Sequence, residues 1–330
     1  MELSERKIKI LNIAVEEFIK DSAPITSGSV KDRTALDVST ATLRSELNAL
    51  EAMGFLKQLH TSGGRVPTAQ GYRFYVENLL KNIKATNGEL EEVRKLIENR
   101  TQSLNDLVAG IAKIISKATN YPTVVLVNGI ENLILQEFKI IPLLGDKCMV
   151  LIGTNYGYIT NTMDIKATAQ NCEDASNYLT KYFKDETMGF MIENVSQLKK
   201  GMSGEIEAFQ NVVDNIVLGL SKMNQHKLLN IQAEGVVDMV EEQQNEAKKV
   251  LKTLNDEERL IEVLDNNDSG ISADVAEDGD EKCSVVKTPI IIGGNKLASI
   301  GVFGPQKMDY MGIATALKIV VDELNRKGGE

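Results

Sequence analysis

Thr40, Thr42, Arg44, Ser45 and Asn48 place short hydrogen-bonding groups and one cation within a single stretch of chain. Leu43, Leu47, Leu50 and Met53 recur among them at intervals of three and four, so the spacing predicts a helix with the polar row on its outer side. Such a row is suited to recognition: donors and acceptors held at close range read base edges in a DNA groove. A second group follows at once. His60, Thr61, Ser62, Gly63, Gly64 and Arg65 form and flank the tight turn Thr61-Ser62-Gly63-Gly64, between extended pieces at 55–60 and 65–67. The resulting hairpin, with Lys57, His60 and Arg65, is expected to lie beside the helix over phosphate.

These groups need a scaffold. Ser4 is a plausible N-cap, and Ile8, Leu11, Val15, Phe18 and Ile19 predict a first helix to about Lys20. Pro24 breaks it, and Thr26 or Ser27 can cap a short second helix to about Arg33. Ala35 to Val38 lead tightly into the helix capped at Ser39. Three helices followed by a hairpin is the winged helix-turn-helix order. The alternative is a generic three-helix core with a surface hairpin.

The chain of 330 residues is long for one core, so two or three domains are expected. Its net charge of -10 excludes a generally basic nucleic-acid coat protein. Residues 1–80 are balanced, with ten Lys/Arg against ten Asp/Glu, so the excess acid lies further on. Within 22–75 there are six Lys/Arg against four Asp/Glu, and an acidic protein can bind DNA through one such module. Cys148, Cys172 and Cys283 are scattered, and the only histidines are His60 and His226. No zinc spacing results, and the cysteine usage fits a reducing compartment. The charged, amphipathic start is unlike a signal peptide, and no apolar run approaches the roughly 18 residues of a membrane span. The expected location is cytoplasmic, with no cofactor.

LSERKIKILNIAVEEFI followed by VSTATLRSELNALEAMGFLKQLHTSGGRVPTAQGYRFYV resembles the HrcA family of heat-inducible transcription repressors. His60, Thr61, Ser62, Gly64, Arg65, Pro67, Thr68, Gly71, Tyr72 and Arg73 fit its wing and exit helix, and Ser39, Ala41, Thr42, Arg44 and Leu50-Glu51 fit its recognition helix. Gly28, Thr40 and Ser45-Glu46 depart from the family's usual Arg, Pro and Asn-Asp, at positions that bear on operator preference. Near the end, Gly301, Gly304, Pro305, Met308, Asp309 and Tyr310 fit the closing motif. The resemblance implies a GAF-like sheet domain and an inserted dimerising domain. It also implies a homodimer on an inverted-repeat operator (CIRCE) upstream of chaperone operons, with a GroEL-type chaperonin assisting the active fold. The expected DNA contacts are Ser27, Ser39, Thr40, Thr42, Arg44, Ser45, Asn48, His60, Thr61, Ser62, Gly63, Gly64 and Arg65. Arg44 is placed at a base edge or nearby phosphate, Arg65 at phosphate or in the minor groove, and His60 at phosphate or bonding the turn. Tyr72 and Arg73 are candidates for supporting the wing.

Past the hairpin, Tyr72 to Ile83 predict an exit helix, and Lys84 to Gly88 a polar hinge. Leu90, Val93, Ile97, Leu104, Leu107, Ile111 and Ile114 then fall on a heptad seam, with Arg100 at one core position. A helix of roughly 30 residues is expected, coupling two subunits or packing along its own next domain. Strands are predicted over 123–127, 135–143, 148–153 and 158–163, a helix over 172–183, helices through 195–264, strands over 283–292 and 297–303, and a closing helix over 309–324. The fold class is therefore α+β and multidomain: winged helix at 1–84, connecting helix at 85–120, GAF-like domain at 121–185 and 268–330, and a mainly helical dimerising insertion at 186–267.

Other constellations carry less. Asp265 to Gly270 begins like an EF-hand loop, but position 12 is Ala276 where calcium needs a bidentate Glu, so an acidic surface loop is expected. Gly293-Gly294-Asn295 reads as a hairpin turn, not a phosphate loop. His226, alone in a predicted helix, carries no base chemistry, and no acid/base or metal set points to an enzyme. The rival readings are a metabolite-responsive winged-helix regulator with its effector in the GAF-like domain, and a partner-binding scaffold that does not touch DNA.

Overall fold

The computed structural model describes residues 3–33, 38–59, 64–82, 95, 103–198, 228–233, 236, 244–265, 270–277, 281–292 and 295–328. Three helices open the chain: α1 (Glu5–Asp21), α2 (Ser27–Arg33) and α3 (Thr40–Ala52). Ser4 caps α1 by accepting from the Lys7 amide. Thr26, not Ser27, caps α2: its hydroxyl accepts from Ser29 N, and its own amide donates to Ser29 Oγ, both at 3.1 Å. Ile10, Leu11, Ala14 and Val15 meet Val30, Leu43, Leu47 and Leu50 in a closed core. Strands β1 (Leu56–Gln58) and β2 (Arg65–Pro67) pair antiparallel, and α4 (Ala69–Asn82) leaves from them.

The long helix expected over 85–120 is not continuous. Ser103 is extended (φ -69°, ψ 156°) and caps a separate helix, α5 (Leu104–Thr119), because its side chain takes the Asp106 amide that continued helix would leave to a carbonyl. The earlier part of the seam and the Lys84–Gly88 hinge lie outside the described residues. Leu104, Leu107 and Ile111 are buried in the chain's own core, so this half of the seam packs internally.

Next come β3 (Thr123–Val127), β4 (Leu135–Pro142), β5 (Cys148–Thr154) and β6 (Gly157–Met163), then α6 (Ala169–Phe183) and α7 (Met188–Leu198). Further along are β7 (Leu228–Gln232), α8 (Gln244–Leu254), α9 (Glu257–Asp265), β8 (Ser272–Asp274), β9 (Ser284–Ile292), β10 (Asn295–Gly304) and α10 (Tyr310–Gly328). All pairings within the two larger sheets are antiparallel, so the fold is α+β: β4-β5-β6 form one sheet and β7-β3-β10-β9-β8 another. In the five-stranded sheet β3 alternates between two cores. Val125 and Val127 face the large core that includes α5 and α10, while Val124 and Leu126 face α8 and α9. Burial on both faces explains why Val124 to Val127 are apolar without alternation.

One expectation is overturned here. The chain is not helical throughout 195–264, because Leu228–Gln232 is a strand, pairing with β3 from Leu228↔Val127 to Gln232↔Thr123. A short apolar run has no state of its own, and the open edge of β3 supplies one. His226, the Gly293-Gly294 turn and residues 266–269 of the acidic loop lie outside the described residues; Asp265 itself accepts from Asn128 Nδ2. Among the described residues, no helix is long and apolar enough to cross a membrane.

Candidate nucleic-acid interface

Helix α3 is held by three devices. Ser39 Oγ accepts from Thr42 N at 3.1 Å and lies 2.9 Å from Thr42 Oγ1, so these two hydroxyls close the cap together. Leu43, Leu47 and Leu50 bury one face. Glu46 lies between those leucines and binds α1: one oxygen lies 2.6 Å from Arg6 Nη2 and the other 2.9 Å from Lys7 Nζ. The hydrogen bond from Lys7 leads the causes that pull its carboxyl below the usual range; it outweighs burial, which raises it, and Arg6 adds a further lowering. On the opposite side Thr40, Ala41, Arg44, Ser45 and Asn48 are exposed. Residues 41, 44, 45 and 48 form one stripe along the helix. Among the described residues Arg44 has no hydrogen-bond or ion-pair partner, so its guanidinium is available.

The hairpin stands beside this stripe. Gln58 pairs with Arg65, Lys57 with Val66 and Leu56 with Pro67. Ile25, from the segment before α2, adds a third line of pairing by exchanging backbone hydrogen bonds with Arg65 at 2.7 and 2.9 Å. Gly64 is needed there, since a Cβ would meet Ile25 O and Pro24 at 2.8 Å. The Arg65 side chain turns back onto α3. Its Nε donates to Glu51 Oε2 at 2.7 Å and its Nη2 donates to Asn48 Oδ1.

The structure therefore brings together Ser39, Thr40, Thr42, Arg44, Ser45, Asn48, Gly64 and Arg65. Ser27, half-buried, starts the neighbouring α2. His60, Thr61, Ser62 and Gly63 lie outside the described residues. Tyr72 and Arg73 also face the sheet body: Tyr72 is buried with its ring 6.0 Å from that of Tyr310, and Arg73 Nη2 donates to Glu277 Oε1 at 2.9 Å and to Val275 O at 3.3 Å. Sequence reasoning missed Glu46 and Glu51 as anchors of the stripe. Glu51 had a signal, because it stands three residues after Asn48 and so shares its face.

The description "HrcA protein C terminal domain" matches residues 105–313. The chain belongs to the HrcA family. It is 27% identical to the heat-inducible transcription repressor HrcA of Brevibacillus brevis, over 98% of this chain and 97% of that one. The HrcA repressor of Pelotomaculum thermopropionicum is 26% identical, over 99% and 97%. A solved structure described as that of a hypothetical protein at 2.2 Å resolution shares the fold, with a TM-score of 0.62 at 19% identity over 99% of this chain and 98% of that one. The HrcA domain match begins inside α5, so the α3 stripe lies outside it and is covered by the full-length likeness to the HrcA repressors. Transcription repression is not an enzymatic function.

Proposed function

We propose that the chain is a heat-inducible transcription repressor of the cytoplasm that binds double-stranded DNA through a winged helix-turn-helix at 1–84. The observation that carries this reading is the exposed stripe of Arg44, Ser45 and Asn48 on a helix anchored from behind, with a hairpin beside it. In this reading α3 enters the major groove and the hairpin is the wing. Arg44, Ser45, Asn48 and Thr40 face base edges. Ser27, Ser39, Thr42 and Gly64, with His60, Thr61, Ser62 and Gly63 of the wing tip, line or support the contact to the backbone, and Arg65 supports α3 from the wing. The operator is an inverted repeat of the CIRCE type, met by a homodimer so that two heads read two half-sites. The later domains are a GAF-like sheet and a dimerising insertion. A GroEL-type chaperonin assists folding: β3 pairs with strands more than 100 residues further along, and such non-local pairing slows folding and exposes apolar surface meanwhile.

The test is a mobility-shift titration of the full-length chain on an inverted-repeat operator. Arg44→Ala is expected to weaken binding by about tenfold, in line with the roughly 1–3 kcal/mol of a good base contact. Unchanged binding at moderate salt overturns the assignment.

One feature favours the metabolite-responsive alternative. A cavity of about 410 Å³ opens between α9 and the sheet, lined by Arg259, Lys282 and Lys287 with Glu262 and Asp274, the last paired with Lys287 at 2.8 Å. Large thermal stabilisation by one small polar metabolite, with release of operator, would establish that reading.

A further inference from the structure

Arg65 is pinned from both directions. Its backbone is held between Gln58 and Ile25. Its side chain, 12% exposed, is held by Glu51 and Asn48 on α3. A guanidinium paired with a carboxylate offers little net charge to a phosphate. It also carries donors only, so the amide atom facing it has to be the carbonyl oxygen of Asn48. The Asn48 amide nitrogen is thereby turned away from the hairpin, and among the described residues it has no partner.

We infer that Arg65 is a positioning residue that makes Asn48 a hydrogen-bond donor to DNA and so sets one base preference of the reading head. This rests on the DNA-binding reading of α3. An unrestrained asparagine reads adenine by accepting from N6 and donating to N7. With one lone pair of Oδ1 taken by Arg65, the amide cannot flip, and Asn48 presents Nδ2 to the groove as a donor. Guanine, with N7 and O6, adenine, with N7, and thymine, with O4, present acceptors to such a donor; cytosine presents only its N4 amino group, which opposes it. Glu51 is the rear anchor, since it fixes the guanidinium that fixes the amide.

The test is selection from a library of randomised half-sites with the full-length chain and with Asn48→Ala, Arg65→Gln and Glu51→Gln, each checked for its fold by thermal melting. The wild type is expected to discriminate against cytosine at one position of each half-site, on the order of tenfold relative to the bases that present an acceptor. Asn48→Ala erases that preference. Arg65→Gln and Glu51→Gln free the amide to flip, admit cytosine at the same position and leave the other positions unchanged. Combining Arg65→Gln with Asn48→Ala adds no further loss there. Where Arg65→Gln does not hold its fold, Glu51→Gln and Asn48→Ala carry the test. A wild-type preference for cytosine overturns the inference. So does an Arg65→Gln or Glu51→Gln variant that keeps the preference intact. An Arg65→Gln variant that binds all sequences uniformly more weakly, with a salt slope smaller by about one, also overturns it, because that is the signature of a direct phosphate contact. If the wild type selects no sequence, the DNA-binding reading itself fails, and that result is visible without any variant.

Discussion

Glu46 is a buried carboxylate that holds the reading helix to α1 through Arg6 and Lys7. Its ordinary value is 4.5 and its folded value lies lower, so its contribution is present above that ordinary value and is lost as pH falls through the folded one. Glu46→Gln is expected to cost about 1–2 kcal/mol at neutral pH, at the low end for a charged hydrogen bond because Arg6 is half-exposed. Denaturant unfolding at a series of pH values checks it: the gap between wild type and variant should close in acid and stay constant above about pH 6. Gly71 is the second residue-scale constraint. A Cβ there would lie 2.2 Å from Phe55 O, so α4 can start against the hairpin only without a side chain. Gly71→Ala should destabilise by roughly 1–3 kcal/mol, read as a lower melting temperature.

At the scale of elements, strand β4 shows how an edge is closed. Among the described residues its outer side meets no further strand; Asp185 and Glu186 bond its first residue, and α6 lies along the rest. Phe138 N donates to Thr180 Oγ1 and Ile140 N donates to Ser176 Oγ, each at 2.9 Å, so two helix hydroxyls stand in for a neighbouring strand. Thr180→Val removes one acceptor while keeping the shape. The orphaned amide should cost about 1–3 kcal/mol. Hydrogen exchange should quicken at Phe138, and refolding should scatter more light as the freed edge finds other chains. These positions were legible as a helix and a strand from their periods. Their pairing was not, because a hydroxyl's partner depends on how α6 crosses the sheet.

For the whole molecule, the first three helices and the sheet body meet through α4 and α10. Tyr72 and Tyr310 rings lie 6.0 Å apart at the centre of the contact, both buried. Around them are Arg73 with Glu277, and Lys307, which reaches Ser22 Oγ and lies 5.8 Å over the Phe18 ring. The Arg73–Glu277 pair is largely exposed and is worth about 0–1 kcal/mol. The tyrosines carry the contact. Tyr72→Ala is expected to cost about 3–5 kcal/mol, whereas Glu277→Gln should leave the melting temperature nearly unchanged. Equal effects of the two changes, measured by calorimetry, would reverse this ranking.

The local rules of the chain were sufficient for much of this protein. Ser4 and Ser39 are helix caps, Leu43, Leu47 and Leu50 are a buried face, and 123–127, 148–154 and 284–292 are strands, because caps and hydrophobic periods act over a few residues. The outward stripe of α3 follows from the same period. Tertiary structure alone decided that the heptad residues after Ser103 pack inside their own fold, that Leu228–Gln232 becomes a strand, that Arg73 reaches Val275 and Glu277 of the body, and that Arg65 grips Asn48 while Arg44 stands free of any described partner. In the sequence Arg44 and Arg65 are two similar cations near one helix. What separates them is the third line of pairing at Ile25, which fixes where the Arg65 backbone sits and therefore which side chains its guanidinium can reach.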